Sequence, residues 1–232
     1  MINYILPHLG MGDYLICNGL IRNLTRKKSQ EEEFILFIND RFIVSLKFMF
    51  RDIPNLYYSI VPQVEFNSNY ILPYIKHKNY HLIVIGYENL NKSISSDKSF
   101  YLQFGYNFEK RWTDFYVKRD FEAEKSFFHQ FNLIPGEYIF IHDDPSRNQI
   151  IDKNQIENKN LKIIEAKKEL TDNIFDYCYM IENAAEIHCI ESSFLFLSDS
   201  IQTNGKLFSH RHARPLYDYT IPNMKKEWKI LK

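Results

Sequence analysis

A turn near the start of the chain carries residue types that general acid–base chemistry uses. His8, Gly10, Gly12 and Asp13 follow a short apolar segment, 3–6. If that segment is a strand and a helix follows it, these residues lie at the carboxyl edge of a parallel sheet, where ligands bind. A carboxylate there repels phosphate, so the turn favours Asp13 as a general base facing a neutral hydroxyl. Gly10 and Gly12 then let an acceptor approach the backbone, and His8 contacts it. Two alternatives stay open, Asp13 as a helix N-cap and His8 as a packed core histidine.

The same glycines form part of a dinucleotide-binding pattern. Gly10 and Gly12 fit the first half of the GxGxxG fingerprint, and Asp40 could hold a ribose. However, Leu15 stands where the third glycine belongs, and Asp13 intrudes on the phosphate position. An NAD-dependent enzyme is therefore kept only as an alternative.

Two further groups of polar residues follow apolar segments in the second half of the chain. His142, Ser146 and Arg147 come after the first of these segments, and the planar fork of Arg147 suits a phosphate. The alternative is a surface turn, for which Asp-Asp-Pro-Ser is good chemistry.

The second group, Glu191, Ser192 and Ser193, opens a predicted helix whose free N–H groups attract anions. Glu191 suits a sugar or ribose hydroxyl, and the alternative for the serines is a simple helix cap. Because strand ends share one sheet edge, we expect these residues to converge with His142 and Arg147. Together they predict a nucleoside diphosphate site without a metal.

A fourth group follows the last apolar segment, 206–210. His210, His212 and Arg214 stand there, and as cations they could neutralise a leaving diphosphate. His210 and His212 lack a third nearby ligand, so no metal site is predicted. A solvated basic loop is the alternative.

Composition excludes several classes of protein. The chain has 232 residues with 29 basic and 29 acidic side chains, hence zero formal charge. Nucleic-acid binders usually carry a net basic surface, so no nucleic-acid partner is expected. No apolar stretch approaches the length of a membrane span, and the first residues do not show the pattern of a signal peptide, so we expect a cytoplasmic protein. Cys17, Cys178 and Cys189 are interpreted as packing residues.

The elements that must position these residues alternate along the chain. Continuous apolar strands separated by helices predict an α/β fold with parallel sheets covered on both faces. Among these elements we expect helices from Asp13 to about Lys27 and over 70–77, and a strand over 138–142. The alternation stops near the middle and restarts, which predicts two small Rossmann-like, doubly wound domains facing a cleft. We expect the first domain over 1–110, the second over 111–215, and a tail over 216–232 that packs back on the first domain.

These motifs resemble GT-B glycosyltransferases, above all the heptosyltransferase-like group (family 9-like). The stretch from Gly12 to Arg22 is similar to the Gly-Asp helix start of that group, and Glu191-Ser192-Ser193 resembles its Asp-Ser/Thr-Gly helix start. Glu replaces Asp and Ser replaces Gly in the second motif. The segment 142–147 also looks loosely like a fucosyltransferase motif, with different spacing.

The resemblance implies a GT-B fold, Asp13 as catalytic base and donor diphosphate binding by the second domain. The expected function is sugar transfer from a nucleotide-sugar to a glycan or other hydroxyl acceptor, inverting and metal-independent, in glycan or cell-surface polysaccharide synthesis. The nucleotide-sugar acts as co-substrate and no cofactor is expected. Oligomer formation is left open. The alternatives are a non-catalytic nucleotide- or sugar-binding relative, and another nucleotide-dependent enzyme such as a sugar epimerase.

Overall fold

The structure, a computed structural model, describes residues 2–8, 10–26, 32–214 and 222–232. The described residues divide into two compact units. The first runs to Lys118 and includes Pro222 and Asn223; the second starts at Arg119 and includes the last residues from Met224. Leu9 of the first turn, the predicted helix end at Lys27 and the first part of the predicted tail, to residue 221, lie outside the described residues.

The first unit is built on a four-stranded, all-parallel sheet. Its strands pair in the order β3-β2-β1-β4. The central strands consist almost entirely of buried apolar residues, as expected for a parallel sheet with two covered faces. The strands are β1 (Ile2–Leu6), β2 (Glu33–Asn39), β3 (Leu56–Val61) and β4 (Tyr80–Val84).

The helices of the first unit are shorter than the apolar periodicity predicts. The helix predicted from Asp13 to about Lys27 begins earlier, with Gly10 as N-cap, and divides at Cys17. A helix predicted over 70–77 is reduced to one 3₁₀ turn containing Pro73, which has no amide hydrogen to donate. The helices are α1 (Met11–Ile16), α2 (Asn18–Thr25), α3 (Ile43–Met49), α4 (Ser96–Leu102) and α5 (Lys110–Thr113).

The second unit repeats the architecture with five parallel strands in the order β6-β5-β7-β8-β9. The strands are β5 (Tyr138–His142), β6 (Lys162–Glu165), β7 (Glu186–Cys189), β8 (Lys206–His210) and β9 (Lys229–Leu231), and the helices are α6 (Phe121–His129), α7 (Cys178–Glu182) and α8 (Ser193–Ser200). The two parallel sheets with their helices confirm the predicted α/β class.

The last residues divide between the two units. The side chain of Asn223 donates to Asp97, which also pairs with the buried Arg111 at 2.6 Å. Lys229–Leu231 instead forms β9, the edge strand of the second sheet. Sequence patterns did not predict this strand.

Each sheet has one topological switch point. From β1 the chain proceeds to β2 and β3 on one side and then returns to β4 on the other. From β5 it proceeds to β6 and then crosses to β7 on the opposite side. Crevices at the carboxyl ends of such strand pairs are the usual ligand sites of open α/β sheets. No helix of the described residues is long and apolar enough to cross a membrane.

Candidate functional site

The carboxylate of Asp13 is held at the switch point of the first sheet. The N–H of Gly10 donates to Asp13 Oδ2 at 2.8 Å, and the N–H of Asp13 donates to the Gly10 carbonyl at 3.0 Å. Asp13 is thus the third residue of α1 and not its N-cap. His8 Nδ1 lies 3.4 Å from the same oxygen, and the side chains of His8 and Asp13 are 21% and 26% exposed. The structure therefore brings His8, Gly10 and Asp13 together, with Gly12 in the same helix.

The ring of His8 is fixed by residues that follow β4. Its centroid lies 4.9 Å from that of Tyr87 and 5.5 Å from that of Phe100. Gly86 has a φ of +81°, and a Cβ on it would lie 2.7 Å from Cδ2 of His8. Burial, and next the charge of Asp13, raise the pKa of Tyr87, so this phenol stays protonated. His8 is oriented by both strands that flank the switch point.

A hydrogen bond spans the switch point of the second sheet. Ser192 Oγ, after β7, lies 2.8 Å from Nδ1 of His142, at the end of β5. Burial lowers the pKa of His142 to about 4, so its imidazole is neutral at pH 7. Its ring packs against Phe194 with 4.4 Å between centroids. The predicted convergence of His142 and Ser192 at one sheet edge is confirmed.

The side chains of Ser146 and Arg147 both bind the carboxylate of Asp144. Ser146 Oγ and Arg147 Nε each donate to Asp144 at 2.6 Å, within the 3₁₀ turn Pro145–Arg147. These donors help hold the pKa of Asp144 below its usual value, against the raising effect of burial. The side chain of Arg147 is 64% exposed, so its guanidinium keeps donors on the solvent side. Its predicted role as a phosphate ligand stays a prediction.

The start of α8 has the geometry of an anion site. Ser192 is its N-cap residue, but within the described residues its hydroxyl makes no bond to the helix amides. The first helical N–H groups, of Ser193 and Phe194, have no carbonyl partner in the helix by its geometry. The guanidinium of Arg214 donates to the carbonyl of the buried Glu191, which brings a cation to this turn. The anion site predicted around Ser192 and Ser193 stays a prediction.

His210 differs in environment from the neighbouring His212. His210 is fully buried at the end of β8, and burial lowers its pKa to about 3. His212 lies in the following turn, Arg211–Ala213, with 5.4 Å between the two ring centroids. A neutral His210 offers hydrogen bonding and no positive charge, so a diphosphate at this edge would take its charge compensation from the arginines.

Sequence reasoning missed two groups that support these residues. Gly86 and Tyr87 orient His8, and their signal is a glycine directly after the strand that pairs with β1. Glu186 and His188 precede His210 in a hydrogen-bonded chain, and their signal is the alternation of two polar residues on one face of a buried strand. Among the described residues, no three His, Cys, Asp or Glu side chains cluster as metal ligands.

Comparison with known proteins gives a likeness in fold only. No protein-family model and no curated protein matches the sequence. Among solved structures, the chain is similar to E. coli ADP-heptose LPS heptosyltransferase II, with a TM-score of 0.56 and 8% identity over 100% of this chain and 90% of that one. It is also similar to E. coli heptosyltransferase WaaC with ADP-2-deoxy-2-fluoro heptose, with a TM-score of 0.52 and 11% identity over 100% and 93% of the two chains. These likenesses agree with the heptosyltransferase-like, GT-B resemblance of the motifs; the fucosyltransferase-like resemblance stays a prediction.

Proposed function

We propose that this chain transfers a sugar from a nucleotide-sugar to a hydroxyl group, with inversion and without a metal ion. The observation that carries the proposal is the partly exposed carboxylate of Asp13, held at a switch point by Gly10 and His8 in a fold similar to that of two heptosyltransferases. A carboxylate oriented in this way suits a general base, because proton abstraction requires a fixed acceptor within hydrogen-bond reach.

The reaction assigns one task to each of the two sites. Asp13 accepts the proton of the acceptor hydroxyl while that oxygen forms a bond to the anomeric carbon of the donor. The bond from this carbon to the diphosphate oxygen breaks, and the nucleoside diphosphate leaves with the electron pair. The N–H groups that open α8, with Arg147 and Arg214, stabilise the charge that develops on the leaving group. The acceptor belongs to the glycans or other hydroxyl-bearing molecules of cell-surface polysaccharide synthesis.

A second candidate is a binding protein without catalysis. The observation that favours it is the hydrogen bond from the N–H of Gly10 to the Asp13 side chain. An acidic third residue that binds the N-cap amide stabilises the start of a helix, which explains this aspartate without catalysis. The first candidate requires nucleotide binding and turnover, whereas the second requires binding of a nucleotide or a sugar without turnover.

The test combines binding with turnover. The full chain is titrated with ADP, UDP, GDP and NAD, with and without EDTA, and its melting temperature is followed. A ligand at about 100 times its Kd stabilises the folded state by about 2.7 kcal/mol. The expected result is a shift with one nucleoside diphosphate, unchanged by EDTA, and release of that diphosphate from its sugar ester when a hydroxyl acceptor is added, with the product's anomeric configuration read by NMR. A shift in melting temperature without release of diphosphate supports the binding protein. A shift with NAD alone supports a dinucleotide enzyme. If none of the four ligands shifts the melting temperature, the proposal is overturned.

A further inference from the structure

A buried chain of three side chains crosses the second sheet and ends at its carboxyl edge. Glu186 Oε2 lies 3.2 Å from His188 Nε2, and His188 Nδ1 lies 2.9 Å from His210 Nε2. All three residues are at least nine-tenths buried, and the ring of His188 stacks on Phe208 at 4.3 Å. Nδ1 of His210 is buried and has no hydrogen-bond partner among the described residues.

The chemistry of these three hydrogen-bonded side chains decides which nitrogen carries each proton. Burial lowers the pKa of His188 to about 4 and that of His210 to about 3, so both rings are neutral at pH 7. Burial raises the pKa of Glu186, while the charge of Lys206 acts in the opposite direction and favours the carboxylate. As a carboxylate, Glu186 can only accept, so the proton of His188 lies on Nε2 and points to it. Nδ1 of His188 is then an acceptor, and Nε2–H of His210 donates to it. This leaves a bare lone pair on Nδ1 of His210.

The position of His210 in the fold is the one at which a hydrogen-bond acceptor binds a ligand hydroxyl in related folds. β7, α8 and β8 form a βαβ unit, because the two strands are parallel neighbours and α8 connects them. In nucleotide-binding units of this kind, phosphate lies at the helix start and an acceptor at the end of the second strand binds a ribose hydroxyl. The acceptor is usually a carboxylate; here the residue at the end of β8 is His210.

We propose that Glu186 and His188 fix His210 as a hydrogen-bond acceptor, and that its Nδ1 binds a hydroxyl group of the nucleotide-sugar. The inference rests on the proposed function and names the group that the donor presents at β8, a ribose or a sugar hydroxyl. The short turn Arg211–Ala213 follows His210 and packs Ala213 against a cluster of buried isoleucines. Nδ1 of His210 is buried, so a hydroxyl of the ligand reaches it only when this turn moves aside.

The first test reads the protons directly and needs no ligand. The full chain is labelled with ¹⁵N-histidine, and long-range ¹⁵N–¹H correlations at pH 7 show which ring nitrogens are protonated. The expected spectrum has His210 protonated at Nε2 and bare at Nδ1, with the preference lost in Glu186→Leu. A proton on Nδ1 of His210 in the unmodified protein overturns the inference, because the hydrogen bonds then run in the opposite direction and His210 is a donor at Nδ1.

The second test measures affinity by calorimetry. It uses whichever of ADP, UDP and GDP binds, the 2′- and 3′-deoxy forms of that nucleotide and its glucose ester. His210→Phe is expected to weaken binding about 5- to 100-fold, since it removes the acceptor of one buried hydrogen bond. A loss shared by the diphosphate and its glucose ester, but absent for one deoxy form, identifies a ribose hydroxyl; a loss confined to the glucose ester identifies a sugar hydroxyl.

Controls separate this inference from the proposed function. His129→Phe changes an exposed histidine of α6 and is expected to leave every affinity unchanged. If His210→Phe does not fold, His188→Phe keeps the stack on Phe208 and removes the group that fixes His210. Affinities unchanged in the folded variants overturn this inference alone, whereas an unmodified chain that binds none of the three nucleotides overturns the proposed function and this inference with it.

Discussion

Ser192 Oγ lies 2.8 Å from His142 Nδ1, and this bond joins the turn after β7 to the end of β5. The two strands flank the point where the second sheet reverses its order. Because the hydroxyl is engaged with His142, the first amides of α8 are left to other acceptors. The same contact thus joins the two strand ends and leaves the first amides of α8 without a bond from the Ser192 side chain.

Removal of the Ser192 hydroxyl tests this contact. Ser192→Ala leaves Nδ1 of the mostly buried His142 without its partner, so the free energy of unfolding is expected to fall by about 1–2 kcal/mol in urea titrations. The matched control is Ser146→Ala, which removes an exposed hydroxyl bonded to Asp144 and is expected to change stability by less than about 0.5 kcal/mol. Equal effects of the two changes would contradict a role for the His142 contact.

Because three histidines are buried as neutral groups, the free energy of unfolding is expected to fall at a pH well above that at which carboxylates titrate. His142, His188 and His210 have folded pKa values of about 4, 4 and 3, below the ordinary value of 6.5. As the pH falls from about 6.5, the unfolded chain therefore binds protons that the folded chain does not, and stability is lost until the folded pKa is reached. Each histidine contributes at most about 1.4 kcal/mol per pH unit.

Urea titrations at several pH values between 7 and 4 check this expectation. His142→Phe is expected to flatten the curve by the share of one histidine, and His129→Phe to leave it unchanged. Burial raises the pKa of Glu186. Between its unfolded and its folded pKa, the folded chain holds a proton that the unfolded chain has lost. Over that range Glu186 therefore adds stability as the pH falls, opposite to the histidines. A stability that is constant from pH 6.5 to 4 would show that these rings are not buried as neutral groups.

The sequence predicted the strands better than the helices. The strand 138–142 was predicted with its observed bounds, because its first four residues form a continuous hydrophobic run, all of them buried. The division of the first helix at Cys17 was missed because the apolar spacing continues through it. Similarly, β9 is a three-residue strand at the sheet edge with no residue fully buried, and its sequence carries little strand signal.

Site residues were predictable where a strand end alone places them. His142 and Ser192 were expected at one edge because parallel strands end together, and they are hydrogen-bonded. The partners of His210 were not predictable, because they depend on a register that sets His188 against Phe208. Likewise, the pairing of Arg147 with Asp144 replaces the free guanidinium that the turn sequence implied.

Gly86 is predicted to be essential for the position of His8. Gly86→Ala places a side chain at positive φ and a Cβ 2.7 Å from the imidazole, so it combines backbone strain with a steric clash. Gly105→Ala is the matched control, because it has a φ of +71° but nothing within 4 Å of a Cβ. We expect about 1 kcal/mol of destabilisation at Gly105 and about 1–3 kcal/mol more at Gly86 by thermal unfolding. Transfer activity should fall only in Gly86→Ala, and equal stability losses at the two sites would contradict the packing role.

Asp13→Asn separates the catalytic role of Asp13 from its structural one. The amide oxygen of asparagine still accepts from the Gly10 N–H, so the start of α1 is kept and stability should change by less than about 1 kcal/mol. An amide cannot accept the acceptor's proton, so turnover should fall at least about a hundredfold while nucleotide affinity is unchanged. Asp13→Ala loses both functions and should add a stability loss of about 1 kcal/mol. If Asp13→Asn turns over at a near-normal rate, Asp13 caps the helix and the base lies elsewhere; His8, 3.4 Å away and fixed by Tyr87 and Phe100, is then the next residue to replace.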